Sequence, residues 1–143
     1  MLGAAHSMAN PLTARRGVVH GNAVGMSLPS VMRFNTELLE VRAIYAGLAR
    51  DAGLVEAEVD DLIAAETIIG RVETLLGAAG FPLTLEEHEF SSEEVSGLAA
   101  EAAEQWTANF NPRPVTEQDF EKLYGSLFAG SACEEVGNET SLS

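Results

Sequence analysis

Three histidines, His6, His20 and His88, are the residues of this 143-residue chain whose type and spacing first suggest chemistry. Imidazole is the commonest protein ligand for first-row metals. His6 and His20 stand 14 residues apart. On one straight helix that separation is about 21 Å, whereas two nitrogens held by one ion at about 2.0–2.1 Å must lie within roughly 4 Å of each other. A single helix cannot meet that demand. A helix that stops at Gly17 and a second that starts near His20 can, and the small residues Gly3, Ala4, Ala5, Gly21, Ala23 and Gly25 permit the close approach. Spacing alone still favours a plainer arrangement, with one hydrogen-bonded core histidine and one at the surface. His88 lies in Glu86-Glu87-His88-Glu89, which reads as a solvated acidic stretch rather than a metal site.

Other reaction classes have less support. The chain contains no Gly-x-Ser-x-Gly elbow, no Walker-type loop and no Gly-x-Gly-x-x-Gly leading into a helix. Met8, Met26 and Met32 fit helix packing better than a ligand set. No carboxylate falls beside His6 or His20, and catalytic metals usually take three or more protein ligands. If the histidines bind a metal, the remaining ligands come from elsewhere. The formal charge of −14 argues against a nucleic-acid partner. That charge is uneven: residues 1–50 hold five Arg and two Glu, residues 51–143 three basic residues and 20 acids. The acidic part reads as solvated helix faces. The single cysteine, Cys133, allows no intramolecular disulfide and suits a reducing compartment. No run approaches the roughly 18 apolar residues of a membrane span, and the start lacks a secretory pattern. These features predict a cytoplasmic chain without membrane association.

The elements that would position the histidines are all helical. Leu2 to Arg16 predicts a helix interrupted or re-entered at Pro11 and ended by Gly17, with Val18-Val19 as an extended link. A second helix is predicted from His20 to Phe34, kinked at Pro29. Asn35 or Thr36 is the expected cap of a third, running to Ala52 with the apolar stripe Val41, Ile44, Tyr45, Leu48. Gly53 sits where a left-handed C-terminal cap belongs. A fourth helix is predicted over 56–79, its seam formed by Leu62, Ala65, Ile69, Val72 and Leu76. Ser91 with Glu94 has capping-box spacing and opens a helix to about Trp106. Thr107 to Pro114 reads as a loop, and Thr116 with Asp119 starts a last helix to Phe128. With no sustained period-two alternation, the fold class is all-α, a bundle of five or six helices over 1–129, followed by a polar, disordered tail at 130–143.

Three runs change the weight on the histidines. They are Gly3-Ala4-Ala5-His6-Ser7-Met8-Ala9-Asn10-Pro11-Leu12, Val19-His20-Gly21-Asn22-Ala23-Val24, and Leu28-Pro29-Ser30-Val31-Met32-Arg33-Phe34-Asn35. Together they resemble the signature of the iron-containing (group III) alcohol dehydrogenases. Asn111-Pro112-Arg113-Pro114-Val115-Thr116, followed by Asp119-Phe120 and Leu123-Tyr124, resembles that family's closing loop and helix. The likeness spans nearly all of residues 3–128.

The resemblance implies a C-terminal helical domain, of the kind shared with dehydroquinate synthase-like proteins, packed behind an N-terminal dinucleotide-binding half. In that family an Asp and three His hold one divalent ion, usually iron, in the cleft between the halves. Two of the His correspond to His6 and His20; the Asp and third His belong to the upstream half. The implied cofactors are Fe2+, with Zn2+ as an alternative, and NAD or NADP; the implied reaction is hydride transfer between a small alcohol or aldehyde and the nicotinamide. The family's His four residues after the first ligand is Asn10 here, a position near nicotinamide and substrate, which puts proton handling in question rather than metal binding. Thr13, Val19 and Ser30 are further departures, and none removes a ligand. Met1 lies five residues before the first ligand, which predicts that the upstream half is a missing partner and that this chain is inactive alone. The competing reading is a non-enzymatic helical partner module or the subunit of a split enzyme. Within the family, maleylacetate-reductase and glycerol-dehydrogenase types stand as alternatives, and homo-oligomerisation is left open.

Overall fold

The computed structural model describes residues 3–130. Cys133 and all but the first residue of the predicted tail lie outside them. Six α-helices follow one another: α1 (Ala4–Arg16), α2 (His20–Asn35), α3 (Leu39–Asp51), α4 (Asp61–Ala79), α5 (Val95–Ala103) and α6 (Glu117–Gly125). Short 3-10 turns occur at Glu86–His88, Ser92–Glu94 and Trp106–Phe110. Among the described residues there is no strand. The predicted all-α bundle is the fold that forms. No helix among these residues is long and apolar enough to cross a membrane.

The main core lies between α1, α2, α5 and α6. Met8, Ala9 and Leu12 of α1, Ala23 and Met26 of α2, Leu98 and Ala102 of α5, and Phe120 and Tyr124 of α6 are buried together there. Much of this interior is alanine and methionine, so the helices pack closely through small side chains while the thioethers fill irregular gaps. α1 is central: it packs against α2, α5 and the 3-10 turn at Trp106–Phe110. It runs through Pro11 without a break and ends at Gly17, whose φ of 63° is the left-handed conformation glycine adopts without strain.

α3 and α4 form a hairpin with a small core of their own, Ala46, Ala49 and Ala64 flanked by Val55, Val59 and Ile68. α3 closes with a Schellman pairing, Gly53 N–H to Arg50 O at 2.9 Å and Leu54 N–H to Ala49 O at 2.9 Å, as the position of Gly53 predicts.

Four local readings need correction. Asn35 and Thr36 do not cap α3. Asn35 is the last residue of α2, and the Thr36 hydroxyl donates to Arg33 O at 2.6 Å, closing that helix. The stripe on α3 is not a core seam: Val41 is buried, but Ile44 and Leu48 are 61% and 49% exposed, because α4 packs on the alanine face instead. α4 starts at Asp61, with Asp60 accepting from Leu62 N–H, so residues 56–59 are a turn. The helix opened by the Ser91–Glu94 capping box ends at Ala103, before Trp106.

Candidate metal centre

His6 lies in the first turns of α1 and His20 is the first residue of α2. The chain between them makes a tight return. After Gly17 the link runs back along α1, where the Thr13 hydroxyl donates to Val18 O at 2.9 Å and Val18 is buried. Val19 then turns into α2 from an extended conformation. The result is that the imidazoles of His6 and His20 approach with ring centres 5.4 Å apart and planes tilted by 49°. Two imidazoles that share an ion at about 2.0–2.1 Å from each nitrogen have ring centres about 5 Å apart. The pair therefore has the spacing of two ligands in one coordination sphere, and the tilt excludes a parallel stack.

Burial, followed by the proximity of His20, lowers the pKa of His6 below the ordinary histidine value. Both effects favour the neutral imidazole, the form that offers a lone pair to a metal. His6 is half-buried and His20 is exposed at the helix start. Among the described residues no group of three or more His, Cys, Asp or Glu side chains is placed to hold an ion. The described residues thus bring two histidine side chains together, with no third such group beside them.

Asn10, one turn after His6 on α1, is half-buried and donates from Nδ2 to Gln105 Oε1 at 3.0 Å. His88 stands apart. Its Nε2 lies 3.2 Å from Pro82 O, while Glu87 accepts from the Leu83 and Thr84 backbone N–H groups and the Thr84 hydroxyl. That segment is a self-capped turn, in keeping with the non-metal reading of its sequence. Met8, Met26 and Met32 are buried, as packing residues should be.

Sequence reasoning did not find the polar strap along α1. Besides Gln105 on Asn10, Thr107 Oγ1 meets Ser7 Oγ at 2.6 Å in a buried pair, and Asn111 Oδ1 accepts from Ala4 N–H at 3.4 Å. Partners this distant in sequence leave no periodic signal. The one clue is a run of polar residues, Gln105, Thr107 and Asn111, in a segment that must still pack. Trp106 and Phe110 of the same strap are each 61% exposed and meet edge to face at 5.5 Å.

The sequence profile of the Fe-containing alcohol dehydrogenase family, C-terminal, matches residues 1–128. The chain belongs to the iron-containing alcohol dehydrogenases. Lactaldehyde reductase of Escherichia coli (strain K12) is 31% identical over 123 residues, covering 86% of this chain and 32% of that protein. An NADPH-dependent butanol dehydrogenase of Clostridium saccharobutylicum is 27% identical over 135 residues, covering 92% of this chain and 34% of the relative. Among solved structures, a 1,3-propanediol oxidoreductase superposes with a TM-score of 0.81 at 28% identity, covering 88% of this chain and 32% of that one. An alcohol dehydrogenase from Oenococcus oeni superposes with a TM-score of 0.79 at 26% identity, with the same coverage of 88% and 32%. The chain spans about a third of the length of the relatives it matches. For an iron-containing alcohol dehydrogenase, the matched third is the C-terminal helical part.

Proposed function

We propose that this chain supplies two of the protein ligands of a divalent metal, His6 and His20, to an NAD(P)-linked alcohol dehydrogenase whose dinucleotide-binding half is not among these residues. The observation that carries this reading is the convergence of the two imidazoles across the break between α1 and α2. An iron or zinc ion bound there supplies Lewis-acid polarisation of the substrate oxygen. Everything else follows from the chain's own residues. His6, whose neutral form burial favours, and His20, exposed at the helix start, stand with ring centres 5.4 Å apart.

Asn10, fixed by Gln105, orients what lies beside that point. An amide neither takes nor gives a proton near neutrality, so Asn10 positions rather than relays. The exposed Val19, next to His20, and Trp106, next to Gln105, are apolar surface for the upstream half to cover, which would exclude water from the cleft. The substrate class this reading favours is a small alcohol or aldehyde. Among the described residues the coordination sphere is incomplete, so these residues on their own are expected to be inactive.

A chimera tests the reading. The chain is grafted in place of the matched C-terminal third of E. coli lactaldehyde reductase, and metal content and NAD(P)-linked aldehyde reduction are measured. One ion per chimera and turnover are expected, with both lost in His6→Ala and in His20→Ala. A folded chimera that keeps its metal in both variants overturns the assignment.

A further inference from the structure

The N-terminus of α1 has no local cap. Gly3 has no side chain to accept from the first N–H groups of the helix, and such groups need a partner when withdrawn from water. The acceptor comes from 107 residues away, where Asn111 Oδ1 receives Ala4 N–H at 3.4 Å. The same side chain is engaged on its other edge. Asn111 Nδ2 donates to Asn35 Oδ1 at 2.7 Å, and Asn35 Nδ2 donates back to Asn111 Oδ1 at 3.3 Å. Asn35 is buried and is the last residue of α2.

The loop around Asn111 is itself held in place. Asn111 Nδ2 donates also to Arg113 O at 2.7 Å, while Arg113 Nη1 donates to Phe34 O at 2.8 Å and its guanidinium lies 3.7 Å over the Phe34 ring. Arg113 Nη2 completes the arrangement with Glu37 at 2.9 Å. A cation on the carbonyls at the C-terminal end of α2 also suits the helix dipole.

We propose that Asn111 is the positioning residue of the histidine pair: one amide ties the start of the helix that carries His6 to the end of the helix that carries His20. It touches neither imidazole. Its effect is on their relative placement: among the described residues, α1 and α2 are otherwise joined through the approach of the two rings, side-chain packing and the link 17–19. This inference rests on the proposed metal-ligand role of His6 and His20, and the test separates the two.

The full chain is titrated with Zn2+ as the probe metal, and the ring nitrogen signals of His6 and His20 are followed by NMR. In the wild-type chain both rings shift along one curve; if they do not, it is the ligand role that fails. In Asn111→Ala, zinc binding weakens severalfold while the fold is kept. A purely structural loss is controlled by Thr116→Ala, which removes the cap of α6 and lowers thermal stability but leaves the zinc constant unchanged. Should Asn111→Ala fail to fold, Asn35→Ala cuts the same tie from the α2 side and leaves the acceptor for Ala4 in place; it too weakens zinc binding. A folded variant of either kind with the wild-type zinc constant, while the wild-type rings shift together, overturns the positioning role.

Discussion

Tyr124 is fully buried, and its hydroxyl donates to Met8 O at 2.7 Å, joining α6 to the helix that carries His6. Burial pushes its pKa far above the ordinary tyrosine value, so the group stays a donor throughout the accessible pH range. Replacement by phenylalanine keeps the ring packing and removes only the hydrogen bond, which contributes about 0.5–1.5 kcal/mol. Tyr124→Phe is therefore expected to lower the unfolding free energy by that amount, read as a lower urea midpoint at an unchanged denaturant slope; wild-type stability would contradict the bond's role. At this scale the sequence was partly legible. His6, His20 and the methionines were readable by type and by their place beside a helix stop. Tyr124 on Met8, Thr107 on Ser7 and Asn111 on Asn35 were not, because each pairing depends on which helices come to lie side by side.

Helix boundaries written by neighbouring residues were readable. Ser91 with Glu94 and Thr116 with Asp119 form capping boxes in which each side chain answers the other's backbone. Asn35 and Thr36 were misread because a side chain that can cap a following helix can also close the preceding one. The stripe on α3 was misjudged for another reason. Periodicity marks an apolar face but does not say whether a neighbour reaches it, and the alanines of α3 allow a closer partner.

The box at Ser91 carries a pH prediction. The Ser91 backbone N–H, together with Arg16 and Arg15, holds the Glu94 carboxyl below its ordinary value of 4.5. A depressed carboxylate pKa adds stability that is present above the unfolded value and is lost as pH falls through the folded one. Glu94→Gln keeps an acceptor for Ser91 without the charge. Its thermal stability should fall less steeply than wild type as pH drops below about 4.5, the unfolded carboxylate value. Parallel pH profiles for the two proteins would contradict the assignment.

Taken whole, the molecule is a helical bundle in which a central α1 is held from three sides while its first turns present His6. The fold class was legible because helices declare themselves by period and by stops. The histidine pair was legible only as a spacing that a break at Gly17 could rescue. What no residue pattern could give was the 5.4 Å approach of the rings, which depends on Val18 being drawn back along α1. The chain covers about a third of its relatives, and its two imidazoles have the spacing of two ligands to one ion. The most direct measurement is a Zn2+ titration of the wild-type chain, His6→Ala and His20→Ala, followed by the ring nitrogen signals. The account predicts one ion per chain, both wild-type rings moving on a single curve, and loss of the remaining ring's saturable shift in either variant. Two independent curves, or a His6 response that survives His20→Ala unchanged, would contradict it.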